Sequence, residues 1–238
     1  MTNIVLLTRD RYRLTKQCLD SLYATTPQND FRLVVVDDES EDFRTRRLVE
    51  SLSASHNAWN ATILSVRHSS HNLGQLKNLG VWWAKKYFGQ AEWLCLVDND
   101  CCFLPNWLPI MIKAAEVSES SGFRLWSGQQ HPYHHPITSP LIAPSCDDMY
   151  LHEYAAIPGT HWFMREATMA RYGPLTSNAS GVCQGEDVNF GNALQAGGWR
   201  LGVVHPFCVV DCGVTNSDGN PQPGAELRTE RVKGVLYE

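Results

Sequence analysis

Trp93-Leu94-Cys95-Leu96-Val97-Asp98-Asn99-Asp100 is an apolar run that stops abruptly at two carboxylates one residue apart. Five consecutive apolar residues bounded by charge read as a strand buried on both faces, as in a parallel sheet. The same form recurs upstream. Ile4 to Leu7 leads into Thr8-Arg9-Asp10-Arg11, Leu33 to Val36 into Asp37 and Asp38, and Ile63 to Val66 into Arg67 and His68. Helix-period segments lie between these runs: Leu14, Cys18, Leu19 and Leu22 share one face before Pro27, and Leu76, Leu79, Gly80, Trp83, Ala84 and Tyr87 share another. Ser40, with Glu41 and Asp42 behind it, reads as a helix N-cap with acids in the first turn. The alternation predicts βαβ units and a Rossmann-like, mostly parallel α/β sheet flanked by helices.

In such a sheet ligands gather outside the carboxyl ends of the strands, where loops and helix N-termini converge. The charged clusters sit at those ends, so one mouth is expected to collect Asp37, Asp38, Arg67, Asp98 and Asp100. Two carboxylates separated by one residue at a strand end can reach one ligand. A hard divalent ion bridging phosphate oxygens needs only one or two of them and keeps water elsewhere. No Gly-x-Gly-x-x-Gly follows the first strand, which argues against dinucleotide-dependent redox chemistry.

Bulk properties set the limits. With 238 residues and 43% hydrophobic residues the chain can bury one large core. Net charge is −5, so no basic field points to nucleic acid. The eight cysteines form no Cys-x-x-Cys pair and several lie inside apolar runs, as small buried hydrophobes do in a reducing compartment. The opening residues lack the form of a signal peptide, and no stretch of about 18 apolar residues occurs. The expectation is a cytoplasmic protein without a membrane span. Beyond residue 100 the rhythm loosens. Leu108, Met111, Ile112 and Ala115 mark one more helix, and residues 127 to 160, rich in His, Pro and Ser, read as a long loop-dominated insertion. Trp162 to Met164, a helix closed by Gly197-Gly198, and the runs at 201 to 204 and 208 to 210 follow.

The ordered set of motifs resembles glycosyltransferase family 2, which uses the GT-A (nucleotide-diphospho-sugar transferase) fold. Val34 to Ser40 looks like the family's strand ending in Asp-Asp-x-Ser. Arg67 through Gly80, with Asn72, Gly74, Lys77 and Asn78, is similar to its Arg/Asn/Gly-containing segment, and Leu96 to Asp100 matches its Asp-x-Asp. Pro158-Gly159-Thr160, running into Trp162 to Arg165, resembles the acceptor-lining strand, and Gly185-Glu186-Asp187-Val188-Asn189-Phe190 looks like its Gly-Glu-Asp-x-x-Phe.

The resemblance implies transfer of a sugar from a nucleotide-diphosphate sugar, a UDP-sugar first among them, to a hydroxyl acceptor with inversion. That acceptor is a protein, a glycan, a small molecule or a modified base. It also implies a divalent cofactor, Mn2+ or Mg2+, with Asp187 as general base and Glu186 orienting it. Donor contacts fall to Thr8, Arg9, Asp37, Asp38, Arg67, Asn72, Gly74, Lys77, Asp98 and Asn99, and acceptor contacts to Gly159, His161 and Trp162. Metal contacts fall to Asp98 and Asp100.

The implied layout is one domain over residues 1 to 212, with a donor half to 102 and an acceptor half after it, then a tail over 213 to 238. Two departures from the family pattern stand out. The first turn reads Thr8-Arg9-Asp10-Arg11, where an Asn-containing turn is usual. Where a late histidine often completes the metal site, the chain has Asp211; a carboxylate suits a hard ion, with His205 in reserve. His131, His134 and His135 with Tyr133 read as loop surface or acceptor contacts. The competing readings are a sugar nucleotidyltransferase-like enzyme, disfavoured because Thr8 to Arg13 has no glycine, and a non-catalytic donor-binding module, disfavoured by the presence of Asp187.

Overall fold

The computed structural model describes residues 1–54, 63–68, 72–129, 141–142, 149–177 and 185–213. The four early apolar runs form β1 (Thr2–Thr8), β2 (Phe31–Asp37), β3 (Ile63–Arg67) and β4 (Trp93–Asp98), all mutually parallel in the order β3-β2-β1-β4. Their side chains alternate between two cores, as the period of two requires. Ile4, Leu6, Leu33, Val35, Cys95 and Val97 face one side, and Val5, Leu7, Val34, Val36, Leu94 and Leu96 face the other.

The first core is covered by α1 (Tyr12–Thr25), α2 (Phe43–Ala54) and α4 (Trp107–Ser118) through Cys18, Leu19, Leu22, Val49, Trp107 and Met111. The second is covered by α3 (Leu73–Phe88), α5 (Glu166–Tyr172) and α6 (Glu186–Ala196) through Leu76, Ala84, Met169, Phe190 and Leu194. Thr26 is extended, as a residue before proline must be, and α1 ends in front of it. Gly198, with φ of 80°, takes the left-handed position that closes α6.

Past β4 the sheet becomes mixed. β5 (Cys101–Phe103), β6 (Phe123–Ser127), β7 (Leu141–Ile142), β8 (Tyr150–Tyr154), β9 (His161–Arg165), β10 (Arg200–His205) and β11 (Val209–Asp211) follow in chain order. The main sheet has nine strands, ordered β3-β2-β1-β4-β9-β6-β10-β8-β7. β9 runs antiparallel to β4 and to β6, while β10 runs parallel to β6. Thr8, Asp37, Arg67, Asp98, Ser127 and His205 therefore end strands at one edge, and His161 begins β9 at that edge. A two-stranded antiparallel sheet, β5 with β11, sits beside it.

Three sequence expectations need correction. Ser40 is not an N-cap: α2 starts at Phe43, and Asp42 Oδ1 accepts from Arg44 N at 2.9 Å. Ser40 instead donates its hydroxyl to Asp37. The segment from 127 to 160 is not all loop, because β8 within it pairs with β10. Tyr87 is exposed rather than on the buried face of α3. His131, Tyr133, His134, His135 and residues 214 to 238 lie outside the described residues.

α3 lies close to β1 and β2 because of Gly80. A Cβ there would stand 2.2 Å from Val5 Cγ1 and 3.1 Å from Val36 Cγ2. Alanine in a helix interior gains about 1 kcal/mol over glycine, but overpacking against two β-branched strand residues costs about 1–3 kcal/mol. Gly80→Ala is expected to lower the urea midpoint with an unchanged slope, and a raised midpoint would show that α3 can shift away without loss.

Candidate functional site

The mouth is assembled from the ends of β1, β2 and β4, the start of α6 and the end of β11. At the β1 end, Asp10 and Arg11 both take left-handed φ values, 53° and 52°. Asp10 N donates to Ser40 Oγ at 2.7 Å, and Asp42 N donates to Asp10 Oδ1 at 2.8 Å, so the β1 and β2 loops are tied together. Asp37 and Asp38 are buried, with Ser40 N donating to Asp37 Oδ1 and Arg9 Nη1 3.5 Å from Asp38 Oδ2. Thr8 and Asn99 use their side chains internally: Asn99 Nδ2 donates to Thr8 Oγ1 at 3.1 Å and to Thr15 Oγ1 at 2.9 Å.

At the β4 end, Asp98 N donates to Thr160 O, which ties the strand to the loop before β9. Asp98 Oδ1 is buried without a hydrogen-bond partner. Burial pushes the Asp98 carboxyl up to about 7; Lys77 opposes this, and Asp100 and Glu186 add to it. Asp100 Oδ2 lies 3.1 Å from Arg11 Nη1. Cys212 N donates to Asp100 O at 2.6 Å across the β5–β11 pairing, which carries Asp211 in beside it. A Cβ on Gly213 would lie 2.9 Å from Asp100 Oδ2 and 3.0 Å from Asp211 Oδ1, so both oxygens face the same small volume. Behind them Cys212 Sγ is 2.8 Å from Cys102 Sγ, and all six described cysteines are free thiols.

The N-terminus of α6 meets this cluster through Lys77. Its ammonium is wholly buried, donates to Gly159 O and to Glu186 Oε1, both at 2.9 Å, and stands 5.0 Å over the Trp162 ring. Burial alone would pull the Lys77 pKa down, but Asp98, Glu186 and Asp187 together carry it above the ordinary lysine value. Gly159 fits because a Cβ would come within 2.8 Å of Lys77 Nζ and 2.9 Å of Glu186 Oε1. Asp187, one residue further on, is half-buried, and its Oδ1 accepts from Val188 N.

Five carboxylates, those of Asp98, Asp100, Glu186, Asp187 and Asp211, thus face two cations, Lys77 and Arg11. Among the described residues no group of three or more His, Cys, Asp or Glu forms a ready-made metal cage. The unpartnered Asp98 oxygen and the excess of hard oxygen donors nonetheless fit a Mg2+- or Mn2+-type ion that takes few protein ligands.

Several sequence-assigned residues stand elsewhere. Trp162 and His161 are fully buried and present no face to a sugar: Trp162 stacks on Phe190, and His161 Nδ1 accepts from Gly128 N. Burial holds His161 neutral by pushing it down to about 3. Lys77 reaches no solvent-borne phosphate. Asn72 caps α3, accepting from Gln75 N. Gly74 N donates to Ser177 Oγ, and Asn78 both donates to and accepts from Leu175. Arg67 is exposed at the end of β3. His205 packs with Tyr150, His152 and Phe207, with three strand spacings between β10 and β4.

The profile of glycosyl transferase family 2 matches residues 3–169. The chain belongs to glycosyl transferase family 2. Among solved structures it is similar to the mannosyltransferase PcManGT from Pyrobaculum calidifontis in complex with GDP-Man and Mn2+. The TM-score is 0.57 at 15% identity, over 85% of this chain and 56% of that one. GalNAc-T7 with UDP, GalNAc and Mn2+ gives 0.65 at 16% identity, over 100% and 48%. S. aureus TarS 1-349 in complex with UDP-GlcNAc gives 0.56 at 16% identity, over 85% and 55%. The GT-A fold is shared, and the chain spans about half the length of these structures. No curated protein matches its sequence. Among the described residues no helix is long and apolar enough to cross a membrane.

Within this family 2 chain the residue that sequence reasoning passed over is Arg11. Its signal was the unusual Thr8-Arg9-Asp10-Arg11 turn, which places a basic side chain at the mouth.

Removing the Lys77 ammonium leaves Glu186 buried and uncompensated, a change that costs about 3–5 kcal/mol. Lys77→Met is expected to lose that much stability in urea unfolding. Lys77→Met combined with Glu186→Gln should lose less than the two single losses summed. Strict additivity would mean that the buried pair is not coupled.

Proposed function

We propose that this chain transfers a glycosyl unit from a nucleotide-diphosphate sugar to a hydroxyl acceptor, with inversion and with a divalent cation at Asp98 and Asp100. The observation that carries the reading is Asp98 at the carboxyl edge of a parallel sheet, its Oδ1 buried and unpartnered, two residues before Asp100, whose Oδ2 faces one small volume with Asp211 Oδ1. A donor diphosphate is anionic and cannot approach five carboxylates without added positive charge. Mn2+ or Mg2+ bound by Asp98 and Asp100, with Asp211 as the additional oxygen donor, would neutralise the charge that builds on the leaving diphosphate. His205 is set aside in this role because it packs at the far side of β6 and β9.

The half-buried place of Asp187 in the first turn of α6 supports the reading of it as the base. Its carboxylate takes the acceptor hydroxyl proton while that oxygen bonds to the anomeric carbon. The bond from that carbon to the diphosphate oxygen breaks in the same step, which inverts the centre. Glu186 cannot share the task, since Lys77 holds it in the core; its role is to fix the start of α6. Asp37 and Asp38, locked by Ser40 and Arg9, form the wall expected to meet the nucleoside. The GDP-Man, UDP and UDP-GlcNAc bound by the structural neighbours support a nucleotide-sugar donor, and two of those three carry uridine. A UDP-sugar is therefore the first donor to test.

The test is donor turnover across a panel of nucleotide sugars with Mn2+ or Mg2+, for the wild type, Asp100→Ala and Asp187→Asn. Asp100→Ala is expected to abolish metal-dependent donor binding. Asp187→Asn should keep donor binding and lose on the order of 10²–10⁴ in transfer rate. Donor binding that resists both chelation and Asp100→Ala would sink the metal assignment, and full transfer by Asp187→Asn would remove the base.

A further inference from the structure

We propose that Arg11 is the internal cation of the metal site, seated on Asp100 when no divalent ion is bound and released when metal and nucleotide diphosphate bind together. The inference rests on the proposed metal site and adds its regulation. Arg11 Nη1 and Asp100 Oδ2 are 3.1 Å apart, with side chains 33% and 12% exposed. That same Oδ2 faces the volume next to Gly213 where Asp211 Oδ1 also points. A divalent ion taken up on the Asp211 side of Asp100 would draw on Oδ2, the oxygen that the guanidinium holds. A divalent ion and a guanidinium held by that one oxygen would set a double and a single positive charge against each other. The two cations therefore compete for one site.

The backbone around Arg11 cannot absorb the exchange. Its turn holds two consecutive left-handed non-glycine residues, Asp10 and Arg11, kept in place by the bonds to Ser40 and Asp42 and by Thr15 N donating to Arg11 O at 3.0 Å. Only the side chain is left to move, and it has somewhere to go. Arg11 also lines an open cavity of about 430 Å3 with Tyr12, Arg13, Leu14, Asp42 and Arg44. A guanidinium released from Asp100 would find in a diphosphate oxygen a charge-assisted partner in place of the lost carboxylate. Metal alone must open an ion pair with no replacement. Metal with a nucleotide diphosphate supplies the replacement, so the two ligands favour each other through Arg11. Lys77 cannot play this part, because it is fully buried and committed to Glu186 and Gly159.

The experiment measures Mn2+ affinity by electron paramagnetic resonance of the free ion, with and without UDP, for the wild type, Arg11→Ala and Arg11→Lys. Arg11→Ala is expected to bind Mn2+ alone on the order of tenfold more tightly than wild type, and to lose a similar factor of the enhancement that UDP confers. Arg11→Lys, which keeps the charge without the planar fork, should fall between them and guards against a folding defect in the alanine variant. Unchanged or weaker Mn2+ binding by Arg11→Ala, with the UDP enhancement intact, overturns the role of Arg11 while leaving the metal site standing. No Mn2+ binding by any of the three proteins, with UDP present, overturns the metal site itself and Arg11 with it.

Discussion

The Lys77 ammonium is the interaction on which the mouth depends. A fully buried cation is tolerated only where opposite charge and hydrogen bonds replace water, and here Glu186, the Gly159 carbonyl and the Trp162 ring surround it. Each partner comes from a different piece of chain. Lys77 belongs to α3, Gly159 to the loop before β9, and Glu186 to the first turn of α6. The ammonium therefore sets where α6 begins, and with it where Asp187 stands relative to Asp98. Two glycines make the arrangement possible, Gly80 by letting α3 settle onto β1 and Gly159 by leaving room for the ammonium and Glu186. The helix α3, the loop before β9 and the start of α6 are thereby joined through a single charge.

How legible this was depended on how local the determining interaction is. The strands β1 to β4, their parallel order and the mouth at their carboxyl edge follow from apolar runs and charged ends, because burial on both faces of a parallel strand leaves a direct trace in sequence. The fate of Lys77 left a fainter trace. It sits on the α3 stripe with Gly74, Gly80 and Ala84, a row of small residues that lets a long side chain be buried, but its partners are 82 and 109 residues away. Asn72 and Gly74 are donor contacts in what the family resemblance implies, and Asn78 belongs to the same segment. Their side chains and backbone instead cap α3 and hold residues 175 to 177. Trp162, an acceptor contact in what the resemblance implies, stacks on Phe190 beneath Lys77 in the core. Nothing in the period-two pattern of β9 tells which neighbour its rings will meet.

The balance of charge explains why both cations are needed and why they differ. Five carboxylates in one mouth repel each other and any anionic donor. Lys77 offsets part of that repulsion from within the core, where it is fully buried and bonded to Glu186 and Gly159. It acts on Asp98, Glu186 and Asp187 alike, but Asp98 still stays near the neutral range under the cost of its own burial. What Lys77 leaves unmet is the Asp98 Oδ1 atom, which stays buried without a hydrogen-bond partner.

Arg11 adds a second cation beside this atom without becoming its hydrogen-bond partner. Its charge is spread over a plane: it pairs with Asp100 and favours the Asp98 carboxylate at longer range, and Asp98 Oδ1 stays without a hydrogen-bond partner. The unusual Thr8-Arg9-Asp10-Arg11 turn thus adds a cation that moderates the repulsion among the carboxylates. Lys77 does so from the core, fixed by Glu186 and Gly159, and Arg11 does so from a partly exposed position, held by a single ion pair to Asp100.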